Sequence, residues 1–309
     1  MTRLFSTLLR ASLALSTLWC VAGPAPVSAQ ACTSACLASG DYTYTMTWAG
    51  QPRTYQVHVP ASYTGQRPVA LALDLHGHGL TSDNQRGQSG QLQQSDALGF
   101  IAVWPQGIGN SWNGEGCCTV AYQNNIDDVG FLRAVIADIR RRAWIDPDKL
   151  YVTGWSNGGG MAQRMACEAS DVVRAIAPVA HPLNTDSCRP SHVVNVLAFH
   201  GKQDQIIPYD GSGLPVLPNP ILGLPTGWQG ARESLAAWKL ILGCTDTLSK
   251  ATVNRNSTDW TYRDCAGGGT VGLVTVPDAD HNLYTAPLPL LPTDHVEVAA
   301  YIWSHVFRP

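Results

Sequence analysis

Residues 151–160 read Tyr-Val-Thr-Gly-Trp-Ser-Asn-Gly-Gly-Gly, and they contain the pattern Gly-x-Ser-x-Gly with Ser156 at its centre. Apolar, β-prone residues precede this pattern, and a helix-like stretch follows from Met161. The context predicts a nucleophile elbow, which is a sharp strand-to-helix turn that presents a serine hydroxyl to a histidine base. Glycine at 154 and 158 removes the Cβ atoms that would clash in so tight a turn. A chance match is the alternative, and the flanking strand and helix argue against it.

Short apolar runs alternate with helical patterns along the chain. This alternation predicts an α/β fold with a mostly parallel sheet and helices on both faces. We expect eight strands, at residues 42–48, 54–59, 69–75, 100–104, 150–153, 175–179, 194–199 and 271–276. We expect helices at residues 84–98, 128–142, 157–168, 231–242 and 295–306, the second of them capped by Asp127 or Asp128.

The first 29 residues have the pattern of an export signal. Arg3 and Arg10 precede an apolar stretch, and Val27-Ser-Ala29 fits the small-x-small cleavage rule. We therefore expect residues 1–29 to be a signal peptide, residues 30–309 to form a single catalytic domain, and the product to be secreted into the periplasm or medium. No later segment approaches the roughly 18 uninterrupted apolar residues of a membrane span.

Charge and size limit the partners. Residues 30–309 carry 18 Lys and Arg against 23 Asp and Glu, a net charge of −5, which argues against a nucleic-acid partner. About 280 residues can bury one sizeable core. We expect a monomer with no nucleic-acid or membrane partner.

Eight cysteines remain once Cys20 in the signal is set aside. An even number in an exported chain predicts up to four disulfides, whereas the alternative, a metal site, lacks a matching histidine pair. We expect Cys117 and Cys118 to bond to two different partners, and Cys244 to pair with Cys265. We expect no metal and no cofactor.

A serine nucleophile needs an acid and a histidine, in the chain order Ser, Asp, His. Asp204 follows the apolar run 194–199, and His281 follows the run 271–276. Because the carboxyl ends of parallel strands meet at one edge of a sheet, we expect Ser156, Asp204 and His281 to form the catalytic triad. The other acids considered are Asp210, Asp278 and Asp280, and the other base is His295.

An oxyanion hole needs two backbone N–H groups, one of them from the residue after the serine. That residue is Asn157, and we assign the second donor to His78 in the loop Leu75-His-Gly-His-Gly79. A metal site at His76 and His78 is the alternative, without a third ligand nearby in the sequence.

Aromatic and apolar residues near these motifs are candidates for substrate binding. Trp112 and Trp155 could form an aromatic wall for a planar acyl group, and buried packing is the alternative for each. Residues 211–230 and 285–292 are apolar loops rich in proline. We expect them to form the rim of the cleft through Leu217, Leu222 and Leu288, unless they only cover the core.

Together these motifs resemble the secreted feruloyl esterase and poly(3-hydroxybutyrate) depolymerase group of α/β-hydrolases, from about Thr54 to His281. The resemblance rests on Leu75-His-Gly, Asn110-Ser-Trp-Asn113 with Cys117-Cys118, Asp127-Asp-Val-Gly-Phe131, Gly154-Trp-Ser-Asn-Gly-Gly159, His200-Gly-Lys-Gln-Asp204 with Pro208-Tyr209, and Cys244 with Tyr262-Arg-Asp-Cys265. After His281 the chain reads Asn-Leu-Tyr where many relatives have Trp-Pro-Gly. The resemblance implies an α/β-hydrolase fold and a serine esterase with Ser156, Asp204 and His281 in the matching places.

The expected function is therefore cofactor-free hydrolysis of carboxylic esters, foremost hydroxycinnamate (feruloyl-type) esters of plant cell-wall polysaccharide. A polyester depolymerase, acting on polyhydroxyalkanoate or an aromatic polyester, is the alternative within esterases. A peptidase of the same fold would need a device for recognising chain ends, which the sequence does not display. An inactive carbohydrate-binding or adhesion relative is the alternative outside enzymes, and the intact order of Ser156, Asp204 and His281 argues against it.

Overall fold

The computed structural model describes residues 36–114, 117–184, 187–214, 226–253, 256–284 and 297–309. Within these ranges ten strands form one sheet. They are β1 (Gly40–Trp48), β2 (Gln51–Val59), β3 (Val69–Leu75), β4 (Ile101–Pro105), β5 (Ile145–Trp155), β6 (Ala175–Val179), β7 (Asn195–Gly201), β8 (Ser249–Thr252), β9 (Thr258–Tyr262) and β10 (Val271–Val276). The predicted signal peptide lies outside the described residues.

The sheet is mostly parallel, as predicted, in the order β1-β2-β4-β3-β5-β6-β7-β10-β9-β8. The six strands in the middle of this order, β4-β3-β5-β6-β7-β10, run parallel. At the two sides of the sheet, β1 and β2 and then β9 and β8 pair antiparallel. All eight predicted strands are present, but the expected number was wrong, because β8 and β9 were missed. Their sequences, Ser-Lys-Ala-Thr and Thr-Asp-Trp-Thr-Tyr, lack an apolar run, and every residue of the edge strand β8 is exposed.

Seven α-helices accompany the sheet in the described residues: α1 (Ser82–Gln88), α2 (Gln91–Leu98), α3 (Thr119–Gln123), α4 (Asp128–Arg142), α5 (Asn157–Glu168), α6 (Ala231–Ile241) and α7 (Val298–His305). The single helix expected at 84–98 is two helices, because Gly90 takes the left-handed conformation between them with φ of 76°. Asp127 caps α4 by accepting the backbone N–H of Gly130 at 2.9 Å. None of the helices in the described residues has both the length and the apolar composition needed to cross a bilayer.

The core lies on both faces of the sheet. All seven residues of β3 are buried, and their side chains alternate between two apolar clusters. Leu71, Leu73 and Leu75 pack with apolar residues of α4 and α5, whereas Ala70 and Ala72 face the cluster that contains Trp303 of α7. A strand buried on both faces is typical of a parallel sheet covered by helices, which agrees with the α/β prediction.

Three disulfides lie within the described residues. Cys244 pairs with Cys265, as predicted, and Cys167 pairs with Cys188. The expectation that Cys117 and Cys118 bond to different partners was wrong, because they bond to each other. Both are buried, and the other described cysteines are paired among themselves except Cys36, which has no disulfide partner in the described part of the chain. Cys32 lies outside it.

Candidate active site

The turn that carries Ser156 joins the end of β5 to the start of α5. Ser156 has φ of 53° and ψ of −122°, a conformation that a residue with a side chain rarely adopts. A Cβ atom on Gly158 would collide with the carbonyl oxygen of Leu75, and one on Gly154 would collide with the backbone of Gly158. The sequence thus folds here into the strained strand-to-helix turn that a nucleophile elbow requires.

The structure brings Ser156, Asp204 and His281 together at the carboxyl ends of β5, β7 and β10. Nε2 of His281 lies 2.8 Å from Oγ of Ser156, and Nδ1 of the same ring lies 2.7 Å from Oδ2 of Asp204. These distances join the three side chains in one continuous hydrogen-bonded series. Ser156 and His281 are 125 positions apart along the chain, and Asp204 and His281 are 77 positions apart. It is therefore the parallel sheet that brings them together.

Asp204 is held on both carboxylate oxygens. Oδ1 accepts the backbone N–H groups of Ile206 at 2.9 Å and Ile207 at 2.8 Å, while Oδ2 faces His281. Nε2 of His200 also lies 3.3 Å from Oδ2. Burial on its own would raise the pKa of Asp204, but hydrogen bonds from His200 and His281, and from the backbone of Ile207, outweigh it and hold the pKa well below its usual range. Asp204 is therefore a carboxylate, which requires a proton on Nδ1 of His281 and leaves Nε2 free to accept the serine proton.

The other acids considered from the sequence do not contact the imidazole of His281. Asp210 is exposed, and Asp278 accepts the amide of Asn256 at 2.9 Å. Asp280 accepts the backbone N–H of His281 at 2.7 Å, which orients the loop rather than the ring. His295, the other candidate base, lies outside the described residues.

Asn157 directly follows Ser156, and His78 lies in the loop that packs against the same turn. Asn157 is the first residue of α5, and within the described residues neither its backbone N–H nor that of His78 donates to a protein acceptor. A Cβ atom on Gly158 would also meet the carbonyl oxygen of His76, at 2.6 Å, so the first turn of α5 rests on the loop that carries His78. The His78 ring turns away to Oγ1 of Thr119, 2.9 Å from its Nε2. A free N–H at the start of a helix and another in the adjoining loop are donors of the kind that an oxyanion hole uses.

The two tryptophans proposed to line the cleft differ. Trp112 is completely buried, so its predicted role as a substrate wall was wrong; the alternative weighed from the sequence, buried packing, applies. Trp155 is partly exposed, and its ring centroid lies 5.4 Å from that of His281. Its contact with an acyl group stays a prediction.

His76 has a structural role that the sequence did not reveal. Its Nδ1 donates to the carbonyl oxygen of Gly77 at 2.9 Å, and its Nε2 accepts the backbone N–H of Gly107 at 3.0 Å. Burial lowers the pKa of His76 to about 4, so the ring is neutral and joins two loops. The only sequence signal was its place at the end of a buried strand. In the described part of the chain no group of three or more His, Cys, Asp or Glu side chains is arranged to hold a metal ion.

Leu217, Leu222 and Leu288 lie outside the described residues, so their predicted contact with substrate stays a prediction. The two ends of the first apolar loop meet in the structure. Ser212 donates its backbone N–H to the carbonyl oxygen of Trp228 at 3.0 Å, and its hydroxyl accepts the backbone N–H of Trp228 at 2.9 Å.

Comparison with known proteins agrees with this architecture. The model of the prolyl oligopeptidase family matches residues 87–188. Feruloyl esterase B of Piromyces equi is 31% identical over 236 residues, which cover 73% of this chain and 42% of that protein. The putative esterase NocK of Nocardia uniformis subsp. tsuyamanensis is 33% identical over 181 residues, or 57% of this chain and 52% of that protein. The chain thus spans about half the length of these curated relatives.

A solved structure shares the fold over most of this chain. The acetyl xylan esterase from Aspergillus awamori has a TM-score of 0.57 at 14% identity, and the match covers 78% of this chain and 94% of that one. The fold, the serine turn and the sequence matches agree: this chain has the α/β-hydrolase fold and resembles the feruloyl esterase-type group of α/β-hydrolases.

Proposed function

We propose that the protein is a secreted serine hydrolase that cleaves carboxylic esters through an acyl-enzyme. The observation that supports this most directly is the hydrogen-bonded series from Asp204 through His281 to Ser156, with distances of 2.7 and 2.8 Å. Disulfides and the pattern of the first 29 residues favour an exported protein. Residues 30–309 would act as one catalytic domain, because one sheet joins β1 to β10.

The reaction follows from the contacts. Oγ of Ser156 attacks the ester carbonyl carbon while Nε2 of His281 takes the hydroxyl proton. The carbonyl oxygen becomes an oxyanion, which accepts hydrogen bonds from the backbone N–H groups of Asn157 and His78. The bond to the alcohol then breaks, the imidazolium of His281 gives its proton to the leaving oxygen, and Ser156 retains the acyl group. A water molecule, deprotonated by Nε2 of His281, then attacks the acyl carbon. The bond to Oγ of Ser156 breaks, Oγ takes the proton back from the imidazolium, and the acid is released.

The substrate class that we favour is hydroxycinnamate esters of plant polysaccharide. The similarity to feruloyl esterase B of Piromyces equi supports this choice. Trp155, whose ring lies beside His281, would contact the planar acyl group. Residues 211–230 and 285–292 would form the rim of the cleft, because each follows a proposed catalytic residue.

Alanine replacement of Ser156 tests the esterase function. We expect Ser156→Ala to fold normally and to lose hydrolysis of p-nitrophenyl acetate by a factor on the order of 10⁴ or more. Ser304→Ala is the matched control, since Ser304 is an exposed serine of α7. Activity of Ser156→Ala near the wild-type level would exclude Ser156 as the nucleophile. Turnover of methyl ferulate compared with turnover of a polyester film then separates the two substrate classes.

A further inference from the structure

Trp112 makes three polar contacts whose partners, Asn157 and His76, lie next to the serine turn. It lies in the loop between β4 and α3 and is 0% exposed. Its backbone N–H and C=O both bond to the side chain of Asn157, and its indole N–H bonds to the carbonyl oxygen of His76. Trp112 therefore contacts both segments that carry the free N–H groups, the start of α5 and the loop after β3.

The first contact is a closed pair of hydrogen bonds with Asn157. Oδ1 of Asn157 accepts the backbone N–H of Trp112 at 2.7 Å, and Nδ2 donates to the carbonyl oxygen of Trp112 at 2.9 Å. The two bonds hold the side-chain amide at both ends, so the residue cannot rotate without breaking one of them. Since the backbone N–H of the same residue is the proposed oxyanion donor, its direction is held as well.

The second contact is with the loop after β3. Nε1 of Trp112 donates to the carbonyl oxygen of His76 at 2.9 Å, and the two ring centroids are 4.9 Å apart. His78, the second proposed donor, follows two residues later. The Gly107 N–H bond to the His76 ring restrains the same loop from the other side.

The Trp112 loop is itself fixed to the body of the sheet. Asn113 donates its backbone N–H to Oδ2 of Asp128 at 2.8 Å, and Asp128 pairs with Arg53 of β2 at 2.7 Å, both side chains being buried. The carbonyl oxygen of Trp112 also accepts the backbone N–H of Cys118 at 3.1 Å. Because these hydrogen bonds fix the Trp112 loop, the loop can hold the segments that it contacts in fixed positions.

We propose that Trp112 is a positioning residue that sets the spacing and direction of the two oxyanion donors, Asn157 and His78. The proposal rests on the ester-hydrolase function stated above. An oxyanion hole is effective because its donors are already aligned before charge develops, and displacement by a fraction of an ångström weakens them. Trp112 does not touch the substrate; it acts through the two residues that do.

Trp112→Phe tests the contact with His76, because it removes the indole N–H and keeps an aromatic ring. We expect kcat on p-nitrophenyl acetate to fall about ten-fold or more with KM changed less than about three-fold, since the lost interaction acts mainly in the transition state. The affinity for a boronic acid, which forms a tetrahedral adduct with the serine, should fall by about the same factor as kcat/KM.

The matched control is Trp303→Phe. Trp303 of α7 is also buried, and its indole N–H donates to the side chain of Gln91 at 2.9 Å, on the face of the sheet away from α5. We expect this variant to lose thermal stability and to keep the kcat and boronate affinity of the wild type. If both variants lose stability and neither loses kcat, Trp112 is only a core residue and the proposal is overturned.

Asn157→Ala tests the other contact, because it removes both bonds to Trp112 and keeps the backbone N–H. We expect the same pattern, a lower kcat and weaker boronate binding with KM nearly unchanged. Normal kcat in Asn157→Ala would overturn the proposal even if Trp112→Phe failed to fold. A wild-type protein that hydrolyses no ester would refute the proposed function and the positioning role together, whereas an active wild type with fully active variants would refute the positioning role alone.

Discussion

Replacement of Asp204 by asparagine should invert the hydrogen bonding of His281. Oδ1 of Asp204 accepts two backbone N–H groups, those of Ile206 and Ile207, at 2.9 and 2.8 Å. In Asp204→Asn these donors hold the amide oxygen at the Oδ1 position, which puts the NH₂ group where Oδ2 now faces His281. Nδ1 of His281 must then accept, so the ring proton moves to Nε2, and Nε2 can no longer take the proton of Ser156.

The size of the effect follows from this change of tautomer. An inverted histidine in a Ser-His-Asp triad lowers kcat by about 10⁴, which corresponds to about 5.4 kcal/mol of activation free energy. Nε2 of His200, 3.3 Å from Oδ2, would also lose its acceptor, because its hydrogen would face the new NH₂ group. That hydrogen is present because the same nitrogen lies 2.8 Å from the carbonyl oxygen of Ile207, which can only accept.

The assay is steady-state hydrolysis of p-nitrophenyl acetate at pH 7 to 8, with circular dichroism to check folding. Asp210→Asn is the matched control, because Asp210 is an exposed acid six positions further along the same turn. We expect the control to keep wild-type kcat. A folded Asp204→Asn protein within about ten-fold of wild type, or an equal loss in Asp210→Asn, would refute the assignment of the acid.

Three further predictions concern stability and selectivity. Replacing Cys167 and Cys188 together by alanine should lower the free energy of unfolding by about 3 kcal/mol, because the disulfide closes a loop with a sequence separation of 21; an unchanged urea midpoint would contradict this. Because the pKa of Asp204 is lowered in the folded protein, its stabilising contribution is complete above the unfolded carboxyl pKa of about 4 and is lost at lower pH. The stability difference between wild type and Asp204→Asn should therefore shrink as the pH falls from about 5 to about 2, and a constant difference measured by urea unfolding would argue against it. Serine replacement of Leu217, Leu222 and Leu288 should weaken turnover of bulky or polymeric esters and spare p-nitrophenyl acetate, whereas equal losses on both substrates would indicate loops that only cover the core.

Much of the site could be predicted from local sequence. Ser156 was identifiable because the elbow is a local turn, and its glycines at 154 and 158 are required by contacts within a few residues of it or with the adjoining strand. Asp204 and His281 could be ranked above their neighbours, because chain order and the ends of buried strands locate an acid and a base without any distances. That Asp204 faces the ring of His281, whereas Asp210 and Asp280 do not, is a tertiary property.

Other features depend on residues far apart in the chain. Trp112 is buried, and its hydrogen bonds join it to Asn157, 45 positions away, and to His76, 36 positions away. Its aromatic character alone could not show these contacts and wrongly suggested a substrate wall. The pairing of Cys117 with its neighbour Cys118 was missed for a different reason, because the sequence analysis assigned adjacent cysteines to separate partners. The edge strand β8 and its neighbour β9 escaped detection because strands at the exposed side of a sheet need no apolar run.

The amino-acid sequence by itself determined the α/β class, the serine turn and the order of the candidate catalytic residues, because strand periodicity, glycine conformation and chain order are local properties. Only the tertiary structure decided that His281 lies within 2.8 Å of Ser156 and 2.7 Å of Asp204, and that Trp112 is buried against Asn157 and the loop that carries His76. These are distances between segments joined through a parallel sheet, and they depend on how all its strands and helices pack at once.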